Sequence, residues 1–476
     1  MRKYLKFYID GKWVDPVEFK TVNAINPATE QVSGEIALGS ASDVDKAAKA
    51  ARKAFATWSK TSREERLKVL QRIQEEYQKR ASDLAVAVMD EMGAPKGLAN
   101  GFQVGLGAGH LNTAIQVLKN FKFEEQRGGT LIVKEPIGVC GMITPWNWPI
   151  NQVTVKVFPA LATGCTMVLK PSQESHFSAY ILAEIFHAAG VPAGVFNLVQ
   201  GKGSVVGAAM ASHPEIDMIS ITGSESAGIE VAKSAANTVK RVCQELGGKS
   251  ANIVLDDADL AKNVAKGVTG MMVNSGQTCS ATSRMLVPKG RMKEAMAAAR
   301  EAAASVTVGD PKGDFAMGPV VSKAQFNSIQ GYIQKGIDEG ATLVAGGIGR
   351  PEGLNKGWFV KPTVFANVTN DMVIAREEIF GPVLGIIGYD TVDQAIAIAN
   401  DSDFGLAGNV AGADAEKARA VARQIRAGWV SINDGFDFHA AFGGYKRSGN
   451  GREWGEFGFH EYLEIKSLLG YAPISS

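Results

Sequence analysis

The chain has 476 residues, 45% hydrophobic and 21% charged, a composition that excludes a disordered protein and suits an ordinary enzyme; the length calls for two domains, with or without a small appendage. With 50 Lys and Arg against 49 Asp and Glu the formal net charge is +1, so nothing favours a polyanionic partner such as nucleic acid. No apolar run of about 18 residues occurs and Met1-Arg2-Lys3-Tyr4-Leu5-Lys6 is no signal core, which predicts no membrane partner and a cytoplasmic location.

In chain order, Phe7 to Val14 reads as a hairpin turning on Asp10-Gly11. Two helices follow, one opening at Ser42 with Asp45 three residues on, the other at Ser62 with Glu65, both in capping-box spacing. From about 137 short apolar runs alternate with helical stretches: strands at 137–143, 166–170, 194–199 and 218–222, helices at 152–163, 176–189 and 204–211. This repeated βα pattern predicts a doubly wound, mostly parallel sheet. A second α/β series runs from Gly248 to about 447, with a strand at 252–255 and helices near 259–274 and 290–304. Residues 121–136 and 457–472 fit neither series. Leu463-Glu464-Ile465-Lys466 alternates like a half-exposed strand, so these segments are expected to form a projecting strand arm whose edge invites a second chain.

The four cysteines, Cys140, Cys165, Cys243 and Cys279, are too few for a disulfide scaffold, and neither they nor the six histidines are spaced as metal ligands. Cys140, Cys165 and Cys243 lie in or beside apolar runs and are expected to be buried and inert. Cys279 lies among small polar residues, Asn274-Ser275-Gly276-Gln277-Thr278-Cys279-Ser280, where a thiol can be exposed and reactive. Gly201-Lys202-Gly203-Ser204-Val205-Val206-Gly207 and Thr222-Gly223-Ser224 each join a strand to a helix, the context in which backbone amides meet a phosphate. The first also reads as a plain glycine-rich turn. Glu245 ends a strand before two glycines, where α/β proteins place their chemistry, although the residues alone favour a solvated glutamate. Asn147, among prolines and tryptophans, either donates to an oxyanion or ties down its loop.

Together the motifs closely resemble the aldehyde dehydrogenase superfamily. They are Pro145-Trp146-Asn147-Trp148-Pro149, Lys170-Pro171-Ser172, Thr222-Gly223-Ser224, Glu245-Leu246-Gly247-Gly248-Lys249, Gly276-Gln277-Thr278-Cys279, Glu377-Glu378-Ile379-Phe380-Gly381-Pro382 and Phe442-Gly443-Gly444-Tyr445-Lys446. The resemblance runs essentially from the first hairpin to the last strand. It implies an α/β fold with a Rossmann-type cofactor domain (residues 1–120 and 137–247), an α/β catalytic domain (248–447) and a β-strand oligomerisation arm (121–136 and 457–476), assembled as a homodimer or homotetramer.

The same resemblance makes Cys279 the nucleophile, Glu245 the general base and Asn147 the oxyanion donor, in oxidation of an aldehyde to a carboxylic acid with NAD(P) through a thiohemiacetal and a thioester. It places Thr144, Pro145, Trp146, Lys170, Gln173, Gly203, Gly207, Gly223, Ser224, Leu246, Glu378 and Phe380 around the cofactor. Lys170 and Glu378 would hold the riboses and Ser224 the pyrophosphate. Many NAD-preferring members carry glutamate where this chain has Gln173, so NAD is the expected cofactor with NADP admitted. Glu453 matches a second acidic position that supports water activation; Lys156 matches a lysine near the site, or is an ordinary helix-surface lysine. Trp148, Phe102, Phe436, Phe438 and Phe442 fall in tunnel-lining segments, or are core, and point to an apolar or aromatic aldehyde. Rival readings are a CoA-acylating dehydrogenase and a non-catalytic protein on the same fold.

Overall fold

Asp10 and Gly11 both adopt positive φ, 51° and 73°, and close the expected hairpin of Phe7–Ile9 against Lys12–Val14. In the computed structural model, which describes residues 1–472, this hairpin joins the edge of an eight-stranded sheet through Tyr8 and Leu198. The interior of that sheet is parallel: Arg241–Glu245, Met218–Thr222, Val139–Ile143, Thr166–Lys170 and Phe196–Leu198, in that spatial order. Val139–Ile143 and Met218–Thr222 are neighbours although two strands separate them in sequence. Their connections leave in opposite directions, which opens a crevice beyond their carboxyl ends.

A seven-stranded sheet follows in the chain. Its strands Ala251–Val254 and Ala407–Ala411 are parallel neighbours, and only Thr342–Ala345, at one edge, runs antiparallel. The α/β fold class expected from the sequence is therefore the one observed. Helix Pro149–Thr163 starts three residues earlier than the apolar pattern suggests, because Pro149 at its first position is preset for a helix. Every residue of that helix is buried, so it serves as a rigid core element. Among the described residues no helix is long and apolar enough to cross a membrane.

Three local expectations are corrected. The first capping box sits two residues earlier: Ser40, not Ser42, caps Ala41–Trp58, with Asp43 as its reciprocal partner. Both serines have aspartate three residues on, but Asp43 is buried and also accepts from the Val17 N–H at 2.9 Å. Asp45 is left at the surface, paired with Lys49 at 2.8 Å. The second box, Ser62 with Glu65, forms as expected. In the segment from 457 onwards, strand structure covers only Leu463–Leu468; the residues before it belong to helix Gly455–Glu461, anchored by buried Phe459. The expected alternation is also absent, since only Leu463 of the strand is buried. The strand pairs antiparallel with Thr130–Pro136, which pairs with Glu124–Arg127. Residues 473–476 of the expected arm lie outside the described residues.

The two candidate caps can be told apart by stability. Ser40→Ala should cost about 1 kcal/mol in urea unfolding, the usual worth of a capping serine, whereas exposed Ser42→Ala should change stability by no more than about 0.5 kcal/mol.

Candidate active site

Beyond the carboxyl ends of Val139–Ile143 and Met218–Thr222 lies a cleft of about 550 Å³. Thr144, Pro145 and Trp146 form one wall and Gly223, Ser224 and Leu246 another. Lys170, Gln173, Gly203, Glu378 and Phe380 line it as well. Gly207 is the one residue of the expected cofactor set that does not line the cleft; it is buried behind the wall, with Lys170 Cδ 3.8 Å from where a Cβ would stand.

Several features of this cleft suit a dinucleotide. The buried hydroxyls of Thr144 and Thr222 have no partner within the protein. Gly203 faces open space, with no atom within 4 Å of the position of a Cβ, so a phosphate could approach its backbone. Ser224 caps helix Glu225–Ala236, accepting from Ala227 N–H at 3.3 Å, and presents the positive end of the helix dipole. Burial lowers the Lys170 ammonium to about 8, and among the described residues its one hydrogen-bond partner is the Pro171 carbonyl at 2.7 Å. Burial lifts Glu378 to about 7, against the pull of the Gly248 N–H it accepts at 2.9 Å and of Lys249. Phe380 is held at φ 55° with its ring edge-on to Trp146. Gln325, carried on a helix distant in sequence, fixes that loop by donating to the Phe380 carbonyl at 2.8 Å. No local motif marks Gln325.

Cys279 sits on a loop with unusual backbone. Asn274, Ser275 and Gly276 are successively left-handed, at φ 55°, 56° and 70°. The glycine is required: a Cβ on Gly276 would stand 2.1 Å from the Gly381 carbonyl oxygen. Asn147, buried like Asn274, donates from Nδ2 to the Gln277 carbonyl at 3.1 Å. Trp148 Nε1 donates to Thr278 Oγ1 at 3.0 Å. The thiol is only part buried at its surface, yet burial, then the charges of Glu378 and Glu245, push it up to about 12.

Cys279 also borders a second chamber of about 420 Å³. Trp148, Phe436 and Phe442 line it, with Phe102 exposed at the mouth. Trp429 and Trp454, which no motif marked, complete the aromatic wall. Phe438 stands behind it, stacked on Trp454 and edge-on to His110. No lysine or arginine lines the chamber, and its one acidic group is Glu453. Glu245 borders neither space. It is buried with both carboxylate oxygens unpartnered, and burial followed by the nearby charge of Glu453 raises it well above the usual carboxylate range, against Lys156 and Arg452. Lys156 is not a surface lysine: fully buried, it pairs with Glu453 and donates to Ser220 Oγ at 3.2 Å. The sequence hides this because Glu453 is far along the chain. Among the described residues no group of three His, Cys, Asp or Glu side chains could hold a metal ion.

Comparison with known proteins gives a consistent answer. The profile of the aldehyde dehydrogenase family matches residues 13–468. A 3-succinoylsemialdehyde-pyridine dehydrogenase from Pseudomonas sp is 53% identical over 474 residues, covering 99% of both chains. A cysteine-to-alanine mutant of aldehyde dehydrogenase C from Pseudomonas syringae, crystallised with NAD+ and octanal, superposes with a TM-score of 0.98 at 53% identity, over 99% of this chain and 98% of that one. An aldehyde dehydrogenase from Mycobacterium tuberculosis, complexed with NAD+, gives 0.96 at 41% identity over 100% and 99%. By sequence over nearly its whole length and by fold, the chain belongs to the aldehyde dehydrogenase family and is an aldehyde-oxidising enzyme.

Proposed function

We propose that the protein oxidises an uncharged apolar or aromatic aldehyde to its carboxylic acid with NAD, through a thioester on Cys279. The observation that carries this reading is that a single thiol borders both chambers, one with unpartnered buried hydroxyls and an open glycine backbone that suit a phosphate, one walled by aromatic rings. Relatives crystallised with NAD+, one of them also with octanal, support it. The chamber offers no cation to a carboxylate-bearing aldehyde, which would lose its hydration without gaining a partner.

In the proposed sequence the Cys279 thiol first gives its proton to solvent water; the resulting thiolate attacks the carbonyl carbon, and the C=O electron pair moves onto oxygen. Asn147 Nδ2 carries two hydrogens; the one on the Gln277 carbonyl fixes the amide, leaving the other, with the Cys279 N–H, to stabilise the oxyanion. Lys170, Ser224, Glu378 and their neighbours would hold a nicotinamide coenzyme, which when bound would supply the acceptor for the hydride lost as the thiohemiacetal becomes a thioester. Glu245 then turns towards the thioester and takes a proton from water, whose oxygen bonds to the acyl carbon and expels the thiolate. The buried Glu453–Lys156 pair adjoins Glu245 and supports that step by biasing its charge. Gln173 reaches the cleft without the charge that would repel a 2′-phosphate, so NADP is admitted as well.

The domain boundaries given by the resemblance fit this division of labour, with cofactor residues chiefly before 248 and the nucleophile after it. The largely exposed strand Leu463–Leu468, with Ile465 70% exposed, is the edge through which a homodimer, or a homotetramer built from dimers, would form.

Three measurements test these assignments. With purified enzyme, octanal-like and aromatic aldehydes should reduce NAD, and detectably NADP, whereas ω-carboxylated aldehydes should be poor substrates and Cys279→Ala inactive; silence with every aldehyde overturns the reading, and silence with NADP alone overturns that of Gln173. Glu245→Gln should give one burst of reduced coenzyme per site and then a steady rate lower by about 10²–10⁴-fold. Full steady turnover in that variant, or a dependence on CoA in the parent, favours the acylating rival. Finally, in coenzyme-free enzyme the rate of Cys279 alkylation by iodoacetamide should keep rising with pH beyond the ordinary thiol value of about 8.5, because thiolate accumulates only as pH approaches the raised value; a plateau near the ordinary value contradicts the burial effect.

A further inference from the structure

The Asn147 backbone carbonyl accepts from two side-chain amides. Gln103 Nε2 reaches it at 3.2 Å and Asn274 Nδ2 at 2.8 Å. Gln103 ends a π-helical turn, Ala99–Gln103, while Asn274 opens the left-handed turn before the nucleophile. Asn274 Nδ2 also lies 3.3 Å from the Gln277 carbonyl, the oxygen on which the Asn147 side chain rests. One buried amide therefore bridges the main chain of the residue proposed to bind the oxyanion and the loop that carries the thiol. Gln277 locks the bridge, donating to the Asn274 carbonyl at 3.0 Å and accepting from Val321 N–H at 2.9 Å. Asparagine suits the place twice over: it tolerates left-handed backbone better than most residues, and its amide supplies two donors for two carbonyls.

We infer that Asn274 is a positioning residue that sets the spacing between Asn147 and Cys279, and with it the fit of the oxyanion. The inference rests on the reading of Asn147 as oxyanion donor. A loss of about an ångström in that alignment would be costly, since preorganised donors act at hydrogen-bond range.

The experiment compares Asn274→Gly, which keeps the backbone easy but removes both donors, Asn274→Asp, which keeps the size but offers only acceptors, Asn147→Ala and the double variant Asn147→Ala/Asn274→Gly. Aldehyde oxidation and p-nitrophenyl acetate hydrolysis both pass through an oxyanion; alkylation of Cys279 by iodoacetamide does not. Removing an oxyanion donor typically costs about 10²–10³-fold, and Asn274→Gly should lose about 30-fold or more in kcat for aldehyde and ester. Alkylation and NAD binding, read by tryptophan fluorescence, should stay within about twofold, and the double variant should be little worse than Asn147→Ala. Should Asn274→Gly fail to fold, Asn274→Asp supplies the same comparison. A parallel fall in alkylation and NAD binding would mean a merely structural role, and full activity or additive losses would overturn the inference. If Asn147→Ala itself retains both reactions, the oxyanion reading fails first.

Discussion

Desolvation by the protein packed around Cys279 is what sets the ionisation of the groups that surround the thiol. Burial is the leading cause in every case: it pushes the thiol up to about 12, Glu378 up to about 7 and Lys170 down to about 8, and it lifts Glu245 well out of the carboxylate range. Each of these shifts disfavours the charged form of its group. A thiolate formed there is weakly solvated and strongly nucleophilic, and a donor aimed at an oxyanion acts with little competition from solvent.

Beneath the second chamber a buried ion pair is retained, Lys156 with Glu453. A buried pair need not add net stability, but losing one partner leaves an uncompensated charge that costs about 3–5 kcal/mol. The pair joins the innermost helix to the segment leading into helix Gly455–Glu461. The same segment carries Trp454 into the aromatic wall and holds its backbone on Phe442, whose carbonyl accepts from Glu453 N–H at 2.7 Å. Charge placement and chamber shape are therefore coupled through two adjacent residues.

Features with a local cause were legible in the sequence. The Asp10-Gly11 turn, the Ser62-Glu65 cap, the strand-to-helix glycine loops and the Cys279 loop each follow from what a few neighbouring residues permit. Where two local solutions competed, at Ser40 and Ser42, the choice was made by the distant Val17 N–H, which no window around residue 42 contains. Trp429, Trp454, Gln325 and Gln103 escaped for the same reason, and Lys156 was left open between site and surface: each takes its place from a partner or a wall assembled by remote segments. Asn274 lay in a motif already quoted, but its importance comes from reaching a carbonyl 127 positions earlier.

The π-helical turn Ala99–Gln103 gives the enzyme's heredity a particular vulnerability. Such turns are a single extra residue accommodated in a helix. Deleting one residue there would restore a regular helix at little local cost, while rotating one side relative to the other by about 100°. Gln103 would leave the Asn147 carbonyl and Phe102 would leave the chamber mouth, with no chemically important residue lost from the sequence. At this point the count of residues matters as much as their identities: a chain shorter here by one would keep every motif and lose both placements.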